Sequence, residues 1–182
     1  MRITIGGTAG SGKSTVAKML ANKLGYKHYS MGDFQREIAE EKKISLLELS
    51  KLEEEDRSID EEVDQRQINL GRNEDNFVID SRLGFHFIPN SVKIFLDANF
   101  EERAKRILAD TIRKEHNINL ENTKHNMKIR ELSEKRRYQQ YYNLDPYDKN
   151  HYDLIVDTTK INAEEAVEEI LEFVKKKKNS NL

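Results

Sequence analysis

Cysteine is missing from the sequence altogether. A disulfide framework and a thiolate metal site are both excluded, which fits a reducing compartment. An excess of charge of one sign is missing too: 31 lysine and arginine residues stand against 33 acidic ones. No net field is available to hold a nucleic acid or an anionic membrane surface, so any polyanionic ligand has to be met by cations placed locally. No stretch approaches the ~18 apolar residues of a membrane span, and the opening MRITIGG carries no charged-then-apolar secretory signal. A soluble, cytoplasmic protein without nucleic-acid or membrane partners is expected. Internal repeats and low-complexity linkers are also lacking, and 182 residues is about the length of one domain with its own core.

What is present alternates. Short apolar runs at residues 2–5, 27–29, 77–79, 92–96 and 154–156 are separated by helix-length segments, not by hairpin turns. That order predicts an α/β fold: a five-stranded parallel sheet flanked by helices. The first run leads through glycines into a helix over 13–24, with Val16, Leu20 and Leu24 on one face and Gly25 as its stop. Residues 32–71 read as two or three amphipathic helices without a strand, a helical insert between the second and third strands. Residues 101–142 read as a helical hairpin interrupted around 117–122, whose tip is a candidate lid. A last helix is expected over 162–178, and its four terminal lysines suit a solvated helix C-terminus.

One motif sits where its mechanism demands. Gly7-Thr8-Ala9-Gly10-Ser11-Gly12-Lys13-Ser14 is GxxxxGK followed by a hydroxyl residue, directly after a strand and directly before a helix. Glycines let backbone amides turn inward around phosphates, and the helix N-terminus adds positive potential. Lys13 can reach the outer phosphates, while the Ser14 hydroxyl can ligate magnesium. A purely structural turn has no need of lysine followed by serine, so ATP with Mg2+ is the expected ligand.

The loop leaves the acceptor open, since GTPases, motor ATPases and small-molecule kinases share it. Neither an NKxD-type base-reading motif nor a DxxG switch stands in a suitable place. Arg36, one helical turn beyond Asp33, and Arg82, just after the third strand, are arginines placed for a second phosphate. The planar guanidinium fork binds phosphate oxygens in pairs and stays charged. Asp33 and Asp80, at strand ends, read equally as turn or cap residues, or as groups that hold a magnesium-bound water or orient an acceptor. Arg130, Glu134 and Arg137, at i, i+4 and i+7, share one helix face. The triplet is either a solvated ion-pair ladder or a catalytic face offsetting phosphoryl charge. On residues alone, a kinase for another small acceptor and an ATP-dependent switch or assembly factor both stay open.

Over nearly its whole length the chain resembles the cytidylate kinases of the P-loop nucleoside-monophosphate kinase group, most of all their archaeal short form. The likeness is carried by IGGTAGSGKSTVAKMLANKLG, SMGDFQRE, SLLELSKLEEEDRSIDEEVDQRQ, VIDSRLG, VKIFLDANFEERAKRI and IRELSEKRRYQQYYNLD. It implies a P-loop kinase fold, with a core of residues 1–31, 72–100 and 143–182, a nucleoside-monophosphate-binding insert at 32–71 and a lid region at 101–142. The implied activity is transfer of the ATP γ-phosphoryl group to CMP or dCMP by a monomer. SMGDFQR is also similar to the matching segment of adenylate kinases, which keeps AMP and UMP as alternative acceptors. Gly7 through Thr15 would hold ATP phosphates and magnesium; Arg36 and Arg82 would hold the acceptor phosphate. Arg130, Glu134 and Arg137 keep the family's spacing for holding phosphates and the acceptor sugar, and Arg66 falls in an acceptor-side helix. Two positions depart from the bacterial pattern: Leu83 stands where that form has aspartate, and Asp60 near where it has an arginine.

Overall fold

A computed structural model describes residues 1–110 and 119–180. Five strands, β1 (Arg2–Gly7), β2 (Lys27–Ser30), β3 (Phe77–Asp80), β4 (Val92–Asp97) and β5 (Leu154–Asp157), form one sheet in the order β2-β3-β1-β4-β5. Every pairing is parallel. The apolar runs predicted the strands, but each strand continues one or two residues further, to Gly7, Ser30, Asp80, Asp97 and Asp157. Ladder pairing, such as Ser30 opposite Asp80 and Gly7 opposite Leu96, carries the backbone past the last apolar side chain. Those extra residues form the carboxyl edge of the sheet, where open α/β sheets bind ligands.

Helices cover both faces. Alternation along β3 sends Val78 to one side and Phe77 and Ile79 to the other. Val78 joins a core with Ile3, Ile5, Ile94, Val16 and Leu20 of α1 (Lys13–Leu24) and Val167 and Ile170 of α8 (Ala163–Ser180). Phe77 and Ile79 pack instead under α2 (Met31–Glu41), α3 (Leu46–Glu55) and α4 (Arg57–Asn73), through Ile38, Leu49, Ile59 and Val63. These three helices start on side-chain caps. Ser30 Oγ accepts from the Asp33 amide, Ser45 and Glu48 form a reciprocal capping box, and Asp56 accepts from the Ser58 amide.

A short helix α5 (Gly84–Phe87) follows β3, and α6 (Phe100–Ala109) and α7 (Leu120–Tyr142) lie between β4 and β5. The interruption expected around 117–122 falls partly on residues outside the described ones; Asn119 caps α7 by accepting from the Asn122 amide at 2.9 Å. Among the described residues no helix is long and apolar enough to cross a membrane.

Candidate active site

The glycine loop leaves β1 at Gly7, whose φ of 131° and position against the Leu96 carbonyl, 2.0 Å from where a Cβ would stand, exclude any side chain. Gly10 is similarly placed, with φ 80° and a would-be Cβ 2.6 Å from the Arg103 carbonyl. Polar groups from distant elements hold the loop's carbonyls outward. Arg103 Nη1 donates to the Ala9 carbonyl at 3.2 Å, and Thr158 Oγ1 to the Ser11 carbonyl at 3.0 Å. Within the loop, Ser11 Oγ and Lys13 Nζ both donate to the Thr8 carbonyl, at 2.8 and 2.6 Å. Thr8 Oγ1 donates to Asp97. With carbonyls so engaged, the amides at the α1 N-terminus are available to an anion. Thr15 lies on the exposed side of the first turn of α1.

Beside the loop, Asp80 is 3% exposed and collects three partners. Ser14 Oγ and Ser30 Oγ donate to its Oδ1 at 3.0 and 3.1 Å, and His28 Nε2 lies 2.9 Å from Oδ2. The Ser14 hydroxyl and Asp80 carboxylate form a hard-oxygen pair of the kind magnesium takes when phosphates complete its shell. Among the described residues no cluster of three or more histidine, aspartate or glutamate side chains is arranged as a metal site of its own.

A cleft runs from this loop along α4. Arg36, Arg82 and Arg130 all line it, together with Lys13 and Ser14. Arg36 reaches the cleft while paired to Asp33 on the preceding turn, so Asp33 acts on the arginine and is not itself in the lining. Arg82 is held from two sides, Nε and Nη2 donating to Glu134 at 2.7 and 3.3 Å and Nη1 to the Gly7 carbonyl at 3.1 Å. That fork ties the end of β3 to the glycine loop and to α7. Burial alone would raise the Glu134 carboxyl, but the Arg82 guanidinium overcomes it and holds the group at about 2. Tyr147 donates to the same carboxylate.

Three sequence-derived assignments change here. Glu134 accepts from Arg82 through both oxygens and is not in the lining of this cleft, so it positions that arginine. Arg137 does not line the cleft: it is 2% exposed, with Nη1 2.7 Å from both Glu53 and Asp60. Seven residues along a helix is ~10 Å, so Arg130 and Arg137 share a face without sharing a site. Arg66 is on the exposed side of α4, its guanidinium 4.2 Å above the Phe34 ring.

The residues of α4 that do face the cleft are Asp60, Val63, Asp64 and Gln67, which the sequence reading did not single out as a set. Their i, i+3, i+4, i+7 spacing was the available signal: a helix stripe that is buried yet mostly polar. Burial pushes the Asp64 carboxyl up to about 7, with the donating Tyr142 hydroxyl opposing it. Arg103 and Thr158, which clamp the loop from elsewhere in the chain, carry no local motif and were also missed.

Residues 2–160 match the family described as cytidylate kinase-like. A cytidylate kinase of Methanothermobacter thermautotrophicus is 37% identical over 164 residues, covering 90% of this chain and 99% of the relative. A cytidylate kinase of Methanocaldococcus jannaschii is 40% identical over 169 residues, covering 90% and 92%. Among solved structures, a shikimate kinase from Acinetobacter baumannii in complex with shikimate has a TM-score of 0.62 at 17% identity, covering 97% of this chain and 94% of that one. An uncharacterised protein from Eubacterium ventriosum has a TM-score of 0.69 at 20% identity, covering 96% and 98%. These structural neighbours establish the P-loop kinase fold; at such identities they carry nothing about the acceptor.

Proposed function

Because the chain belongs to the cytidylate kinase-like family, we propose that it transfers the γ-phosphoryl group of ATP to CMP or dCMP, giving CDP or dCDP and ADP. It is an ATP-dependent phosphotransferase of the nucleoside-monophosphate kinase type. The observation that carries the reading is one cleft with an anion site at each end of the reaction: the glycine loop with Lys13 on one side, Arg36 and Arg82 on the other.

On this reading the loop amides and Lys13 hold the ATP phosphates, and Ser14 with Asp80 supports Mg2+. Magnesium, when bound, neutralises charge on the outer phosphates. Arg36 and Arg82 receive the acceptor phosphate, and Arg130 offsets charge on the group in transfer. No covalent enzyme intermediate is needed, since holding two anions in line and excluding water supplies most of the rate. Residues 32–71 serve as the acceptor-binding insert and 101–142 as the lid, including residues outside the described ones; the remainder is the core of a single domain, working as a cytoplasmic monomer.

The test is an acceptor panel of CMP, dCMP, UMP, AMP and shikimate with Mg-ATP, following ADP. Release stimulated by the cytidine nucleotides above all others is expected. Background hydrolysis unchanged by any acceptor would overturn the reading in favour of an ATP-dependent switch.

A further inference from the structure

The acceptor cleft is apolar where Val63, Leu83 and Tyr138 line it and polar where α4 presents Asp64 and Gln67, one helical turn apart. Both polar side chains are nearly buried, at 9% and 2% exposure. Each has one end already taken. Asp64 Oδ2 accepts from the Tyr142 hydroxyl, and among the described residues no donor meets Oδ1. Gln67 Oε1 accepts from Ser81 Oγ.

The Leu83 amide donates to Ser81 Oγ at 3.3 Å, and the single hydrogen of that hydroxyl goes to Gln67. The Gln67 carbonyl oxygen receives it, which turns the Gln67 NH2 group away from Ser81. The two remaining valences are therefore a carboxylate oxygen that accepts and an amide nitrogen that donates, side by side on one helix face.

We propose that Asp64 and Gln67 read the base of the acceptor, Asp64 accepting from the exocyclic amino group of a cytosine-type pyrimidine and Gln67 donating to the adjacent ring nitrogen, with Ser81 fixing the Gln67 amide. This rests on the nucleoside-monophosphate kinase reading above and names the specificity device of the same cleft. The hydrogen-bonding edge of cytosine carries an amino donor next to a ring-nitrogen acceptor, the complement of this pair. Uracil carries a carbonyl acceptor next to an N–H donor, so both contacts reverse. A buried site that leaves two polar groups facing like partners rejects the wrong base far more strongly than a change of shape alone. Leu83 then contributes an apolar wall beside the pair.

The experiment measures kcat/KM for CMP and for UMP at pH 8, above the pKa of Asp64, in the wild type, D64N and S81A. The wild type is expected to favour CMP by ~100-fold or more. In D64N the amide can present its NH2 group to the uracil carbonyl, and the ratio should fall at least tenfold, with UMP turnover rising. In S81A the Gln67 amide is free to flip; the ratio should fall several-fold, with KM moving more than kcat. ADP binding, which involves neither residue, reports that each variant is folded, and S81A decides the matter if D64N is not. CMP turnover with a ratio unchanged within twofold in the folded variants overturns this inference alone. A wild type that phosphorylates neither CMP nor UMP overturns the functional reading, and the inference with it.

Discussion

A buried charge tells most when its partners are counted. Arg137 carries one positive charge between Glu53 and Asp60, both almost wholly buried. Burial pushes Glu53 up to about 7, Arg137 opposing and Asp60 reinforcing it. The folded state therefore keeps a proton that the unfolded chain releases above the ordinary value of 4.5. Stability from this group is complete below that value and is lost as pH rises through about 7. Asp64 adds in the same direction. Glu134, held at about 2, runs the other way: its contribution is present above 4.5 and lost as pH falls towards 2. Urea unfolding should thus show lower stability at pH 8 than at pH 5, by about 1–3 kcal/mol, with a flatter profile in E53Q. A wild-type midpoint that is equal or higher at pH 8 would contradict the assignment. At Arg82 the fork matters more than the charge. R82K keeps the positive charge but cannot span both Glu134 oxygens and the Gly7 carbonyl, so kcat/KM for CMP should drop ~10- to 100-fold while ADP affinity changes little.

The glycine loop works as an element because distant groups take up its carbonyls. Adding a methyl at Gly10 would place it 2.6 Å from the Arg103 carbonyl at a φ of 80°. G10A should cost ~1–3 kcal/mol of local strain and weaken ADP binding at least tenfold, as calorimetric titration would show. T158V tests the clamp more gently. It removes the hydroxyl that donates to the Ser11 carbonyl but keeps the shape of the side chain. KM for ATP should rise several-fold with KM for CMP nearly unchanged; equal effects on both substrates would place Thr158 outside the donor site. α7 links the two halves differently. It lines the cleft with Arg130, positions Arg82 through Glu134 and anchors α3 and α4 through Arg137.

At the scale of the whole molecule, the proposed function assigns the two nucleotides to different parts of one fold: ATP to the β1–α1 turn, and the acceptor to α2, α4 and the end of β3. Each ligand at ~100 times its Kd should stabilise the native state by about 2.7 kcal/mol. A thermal melt with ADP and CMP together should exceed either alone, and CMP without effect on the melt would argue against the acceptor cleft. Much of this architecture was legible in the sequence, because its signals are local. Apolar runs separated by helical segments are enough to name a parallel sheet, and eight consecutive residues from Gly7 to Ser14, between a strand and a helix, spell a phosphate-loop motif. The roles of side chains across the cleft were not local. Gln67 faces the cleft and Arg66 faces solvent although they are adjacent in sequence, because α4 packs on the sheet by one stripe only. Likewise nothing near Arg137 announces that Asp60, 77 residues earlier, will take its charge. Sequence spacing determines which residues share a face of an element; what that face meets is decided only when the elements pack.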